Sequence, residues 1–342
     1  MGQQTTSPPN LPAMFNGSGY LAGVVDGSKE YGDIKDVGQI TSYNQPQPVA
    51  ADPNRRALSV SQWMREFFNT TTQPAGHGFT QAMIQGTALA ACYTFYPKAD
   101  MPIKVIVLDD TDKMDCSPYG CLDEPRYNWL INELESGQAA DELMIIFSHI
   151  PVWADGYQQS PTPQNTFWNK DSYVPESTSL APDQYLVNTI TSTYTNVVLW
   201  VAGHVHRNAI TPQAANSNAQ PSDPDYGWGF YEVETPSLRD FPQEFRRFQI
   251  VRNSDNETLS ILVIDVDPAV NPAPLRDGTQ SPAYISRSYS IAAQQIFNIP
   301  IWQPPNQPAK DYSPSGVCNA QLYIQISQLT PGLQSWLRSF SG

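Results

Sequence analysis

Two short stretches hold the residues best suited to chemistry: "IIFSHIPVW", from Ile145 to Trp153, and "LWVAGHVHR", from Leu199 to Arg207. Three of the four histidines in the chain, His149, His204 and His206, stand in them, each just past a run of apolar β-formers. Neutral imidazole is the commonest protein ligand for divalent zinc, manganese or iron. A His-x-His pair past a buried strand can turn both rings to one side, and Gly203 ahead of it is expected to supply the tight turn. Alone, such a pair is a weak signal, since polar loop histidines look the same. A third strand-end histidine in the preceding unit shifts the reading toward a metal.

These rings need a scaffold that brings separate strand ends to one edge, and the middle of the chain reads as one. "IKVIVLDD" (Ile103 to Asp110), "ELMIIFSH" and "NVVLWVAGH" are continuous apolar runs, the pattern of strands covered on both faces. Between the first two, "DEPRYNWLINELESG" has Asp123 as a cap, Pro125 in the first turn and Gly137 as an expected stop. Its Tyr127, Leu130, Ile131 and Leu134 recur at helical spacing. "APDQYLVNTITSTY", from Ala181 to Tyr194, reads as a second helix. The alternation predicts parallel crossovers, and such sheets gather ligands at the carboxyl ends of their strands. Asp109 and Asp110 end the first strand, where they either orient a ligand imidazole or cap the following loop.

The flanks are less regular. A helix is expected over Ser59 to Thr71, with Trp63, Met64, Phe67 and Phe68 on one face. "GFYEVETPSL", "EFRRFQIVRN" and "TLSILVIDVD" read as an antiparallel section, with "NSDN" (Asn253 to Asn256) as a hairpin turn. "PGLQSWLRSF" reads as a closing amphipathic helix. The expected organisation is a single domain: 1–100 an irregular lead-in and insert, 101–210 the βαβαβ core, 211–300 the antiparallel section, 301–342 a Pro-rich tail and terminal helix.

Composition narrows the function classes. A net charge of −14 over 342 residues leaves no broad cationic face, so nucleic acid is not an expected partner. No run approaches the ~20 apolar residues of a membrane span. Four cysteines (Cys92, Cys116, Cys121 and Cys318) are too few for a disulfide scaffold, and Cys116 and Cys121 suit either a local bridge or two thiols. Arg207 could meet a phosphate or simply face water.

"SHIPVW" followed by "VAGHVHR" resembles the last two metal motifs of the calcineurin-like metallophosphoesterases. "GVVDGSKEYGD", "AADPNRRALS", "LDDTD", "YNWLINEL" and "ETPSLRDFPQEFRRFQI" are similar to a bacterial branch of that superfamily, so the resemblance covers most of the chain. It implies an α/β fold of the four-layer αββα sandwich kind and hydrolysis of small-molecule phosphate mono- or diesters. It also implies two divalent ions (Mn, Fe or Zn) roughly 3.5–4 Å apart that acidify a bridging water. His149 and His204 would ligate one ion and His206 the other. A periplasmic or extracellular location follows from the same branch.

The superfamily pattern also needs an upstream Asp-x-His, a Gly-Asp and a Gly-Asn-His, and these are missing. His77 in "AGHGF" has Ala75 two positions before it, and "YGDIKD" (Tyr31 to Asp36) follows no buried strand. The chain therefore resembles the carboxyl-terminal two-thirds or so of a longer enzyme, incomplete on its amino-terminal side. It is expected to hold at most one weakly bound ion, and no residue takes the part of leaving-group acid. Two other readings stand beside this one: a single-metal hydrolase in which Asp109 or Asp110 joins the histidines, and a non-catalytic binding module.

Overall fold

The computed structural model describes residues 58–86, 89, 91–111, 122–152, 182–204, 208–215, 220, 222–223, 227–238, 244–266 and 319–339. The chain divides into two compact units. One comprises Met1–Ser59, Pro236–Phe245 and Val266–Ser315, of which few residues are described. The other comprises Val60–Thr235, Arg246–Asp265 and Gly316–Gly342, and it holds the elements that follow apart from the end residues Phe245 and Val266.

Within this second unit the chain is mixed α/β. The order is α1 (Val60–Glu66), α2 (Gln81–Gln85), β1 (Tyr93–Phe95), β2 (Ile103–Val107), α3 (Glu124–Ala139), β3 (Leu143–Phe147), α4 (Pro182–Thr193) and β4 (Val197–Ala202). There follow β5 (Ala209–Ala214), β6 (Gly229–Glu234), β7 (Phe245–Arg252), β8 (Thr258–Val266), β9 (Ala320–Gln325), a 3-10 turn and α5 (Pro331–Ser339). A six-stranded sheet runs β1-β2-β3-β4-β6-β5, and a three-stranded sheet runs β7-β8-β9. β2, β3, β4 and β6 are mutually parallel, while β1 and β5 close the edges antiparallel. Four strands therefore deliver their carboxyl ends to one rim.

The continuous apolar runs are explained by cover on both faces. Ile106, Met144, Ile146, Trp200 and Phe230 pack with Tyr127, Leu130 and Leu134 of α3 and Leu186 and Ile190 of α4. On the opposite face, Leu143, Ile145, Leu199, Val201 and Val233 pack with Leu259, Ile261 and Val263 of β8 and Leu322 and Ile324 of β9. A bulge in β4 adjusts the two faces: Met144 pairs with Val197 and Ile145 with Leu199, so Val198 is the extra residue. Among the described residues, no helix is long and apolar enough to cross a membrane.

The cap of α3 forms as its sequence suggests, with Asp123 Oδ1 accepting the Arg126 N–H at 3.1 Å. Its end does not. The helix runs past Gly137 to Ala139, because this glycine serves packing: a Cβ there would stand 2.5 Å from the Met144 sulfur. α1 is shorter than its apolar pattern suggests. Phe67, Phe68 and Asn69 bond back three residues instead of four, tightening the chain into turns ahead of three threonines. Met64 is buried, but Trp63 is 45% exposed.

The largest departure from the sequence reading is β6. "GFYEVE" was expected in an antiparallel section, yet it lies parallel beside β4, between that strand and the edge strand β5 of the main sheet. Phe230 enters one core and Val233 the other, so the strand is buried on both faces and suits a central position. β5, which carries Pro212, had no clear sequence signal and takes the edge, where a missing N–H is tolerated. The "NSDN" turn forms as expected: Asp255 accepts the N–H groups of Glu257 (2.9 Å) and Thr258 (3.0 Å) and the Thr258 hydroxyl.

Candidate functional site

Ser148 and His149 follow β3, Gly203 and His204 follow β4, and these two strands are neighbours. The strand ends are tied to each other, since Gly203 N–H donates to the His149 carbonyl at 3.1 Å. The rings follow. His149 Nε2 and His204 Nδ1 stand 3.3 Å apart, with ring centroids 5.1 Å apart and planes crossing at 75°. His204 has φ of 62°, in the left-handed region that a residue with a Cβ seldom adopts. The turn assigned to Gly203 from the sequence is thus made by the histidine itself. Backbone held in such a conformation is common at functional sites.

A spacing of 3.3 Å admits two chemistries. One imidazole can donate to the other. Alternatively, both nitrogens can bind one ion: two ligands at 2.0–2.1 Å from a tetrahedral zinc lie about 3.3 Å apart. The pair therefore fits two positions of one divalent cation, once the proton between the rings is displaced. His206, the third residue expected to bind metal, lies outside the described residues, as do Arg207, Cys116, Cys121 and Cys318. Among the described residues, no three His, Cys, Asp or Glu side chains gather as a metal-binding cluster. His77 sits in a loop, with Nε2 2.8 Å from the Thr72 hydroxyl.

The two aspartates past β2 have separate tasks. Asp109 caps its own loop, accepting Thr111 Oγ1 (2.7 Å), Thr111 N (3.3 Å) and Ala91 N (3.3 Å). Arg126, almost wholly buried, donates to the Asp109 and Thr111 carbonyls. Asp110 is fully buried and reaches toward the histidines, but to main chain: it accepts His149 N–H at 3.1 Å and Ile150 N–H at 3.1 and 3.2 Å. Burial pushes its carboxyl up to about 7, with the two N–H donors opposing the shift. Both carboxylates are thus committed to other partners, which weighs against either as a metal ligand.

Further residues at this rim had escaped the sequence reading. Glu232 of β6 is fully buried, accepting Val152 N–H at 2.5 Å and the Gln213 amide at 3.0 Å. Trp200 Nε1 donates to Ser148 Oγ (2.8 Å), which donates to the Ile150 carbonyl (2.7 Å). Thr235, just past β6, donates its N–H and hydroxyl to the Ala202 carbonyl. Glu234 is fully buried opposite Ala202. A signal existed: Phe230, Glu232 and Glu234 alternate with Tyr231 and Val233, so period 2 puts both acids on the face of a core aromatic.

Compared with protein-family models and with curated proteins, the sequence matches none.

Proposed function

We propose that the chain is a metal-dependent hydrolase of phosphate mono- or diesters, of the calcineurin-like metallophosphoesterase kind, carrying part of the binuclear centre. The observation that bears most weight is the 3.3 Å spacing of His149 Nε2 and His204 Nδ1 at the carboxyl rim of the parallel strands. His149 and His204 hold one divalent cation, manganese, iron or zinc, and His206 stands two residues on in the sequence. When bound, the ion supplies positive charge for a phosphoryl oxygen and lowers the pKa of a bound water. The chain's own part is to hold the two imidazoles neutral, spaced and oriented.

The fold supports this reading as far as it is described. Helices, a mixed six-stranded sheet and a second sheet stack in that order, an arrangement that agrees with an αββα sandwich. The substrate class is a small phosphate ester, since the net charge of −14 disfavours a polyanion.

Calorimetric titration with Mn²⁺ or Zn²⁺, beside turnover of a chromogenic phosphodiester, tests the proposal. Expected are one weak site and slow, metal-dependent turnover, both lost in His149→Ala. Failure to bind either metal would overturn it, and two tight sites with rapid turnover would overturn the partial centre.

A further inference from the structure

The loop after β3 is held from both sides by carboxylates that the sheet buries. Asp110, past β2, takes the N–H groups of His149 and Ile150. Glu232, on β6, takes that of Val152. β2 flanks β3 on one side and β6 flanks β4 on the other, so the loop is strapped across the ends of both histidine-bearing strands. From beneath, Trp200 and Ser148 tie down the Ile150 carbonyl. The constraint passes on to His204, because the His149 carbonyl receives Gly203 N–H.

Two fully buried acids are a costly way to finish a hydrophobic core, where apolar side chains of the same volume often give equal or greater stability. What an apolar residue cannot do is satisfy a buried N–H and so dictate where that segment of backbone runs. We propose that Asp110 and Glu232 are positioning residues, whose carboxylates strap the 149–152 loop and set the His149–His204 spacing at which the pair takes a divalent cation. The cation part rests on the function proposed above; the ring spacing does not.

The test uses the full chain with isotope-labelled histidine, where only four rings give signals. Two quantities are read: the cross-ring NOE between His149 and His204, and the affinity for Zn²⁺ alone. Glu232→Met and Asp110→Leu, which keep a similar shape and remove the oxygens that accept the loop N–H groups, should each weaken the NOE and lower zinc affinity roughly 10–100-fold, the usual effect of losing an outer-sphere partner. Glu232→Gln keeps an oxygen to accept Val152 N–H and an amide to donate to the Gln213 side-chain oxygen once that amide turns over, and should retain most of both. Leu134→Ala, in the distant α3 core, should lower the melting temperature and leave both readings unchanged.

Retention of both readings in Glu232→Met and Asp110→Leu would overturn the inference, as would an equal loss in Leu134→Ala. Should Asp110→Leu fail to fold, the Glu232 series decides alone. If the unaltered chain binds no zinc, the proposed function falls, and the cross-ring NOE still decides whether these acids position the pair.

Discussion

Against the three-stranded sheet, the six-stranded sheet presents Leu143, Ile145, Leu199, Val201 and Val233. Toward the helices it presents Ile106, Met144, Ile146 and Trp200, and with them the buried Lys104 and Glu232, while the buried Asp110 stands past the end of β2. Lys104 is satisfied near the strand starts by Glu133 (2.7 Å) and Ser136 (2.7 Å) of α3. Asp110 and Glu232 are satisfied at the opposite end, by the backbone of the histidine loop. The difference separates two tasks within one sheet. Cohesion between sheets needs only apolar area, and charge is buried where it has a specific atom to hold.

That division can be broken by substitution. Ile261→Ala, between the sheets, should cost about 2–5 kcal/mol in urea unfolding and leave the His149–His204 contact intact. A lost contact would mean the faces are not independent. Gly137→Ala, on the helix side, brings a methyl to within 2.5 Å of the Met144 sulfur. The clash outweighs the gain in helix propensity, and a net loss of about 1 kcal/mol is expected by the same assay.

Smaller effects sharpen the picture. The folded-state pKa of Asp110 is raised from 3.8 to about 7, so its charged form is the disfavoured one. Relative to Asp110→Asn, stability should therefore be highest below pH 3.8, fall as the pH rises through 7, and stay level above that. A flat difference would show that the carboxyl meets no net penalty. Cys92 is buried, and burial pushes its thiol up to about 12. It should resist alkylation at pH 8 in the folded protein and react only after unfolding.

The parts legible in the sequence are those in which local pattern and burial agree. The runs that became β2, β3 and β4 are apolar but for Lys104 because both faces are covered, and Asp123 with Pro125 marks a helix start by local hydrogen bonding alone. The histidines could be assigned to one rim because parallel topology aligns strand ends. What stayed illegible depends on distant partners. Gly137 reads as a stop until Met144 is known to press on it. β6 reads as a half-exposed hairpin strand because Glu232 and Glu234 break its apolar run, yet both are buried. Asp110 reads equally well as an imidazole orienter or a loop cap, and only the path of the histidine loop reveals that it holds that loop's main-chain N–H groups.

A titration of histidine-labelled protein with Zn²⁺, followed by ring ¹⁵N resonances, tests the central claim most directly. The account predicts that His149 Nε2 and His204 Nδ1 shift together, saturate at one equivalent, and lose the response in His149→Ala. Two nitrogens that stay unmoved, or that respond separately at different stoichiometries, would contradict it.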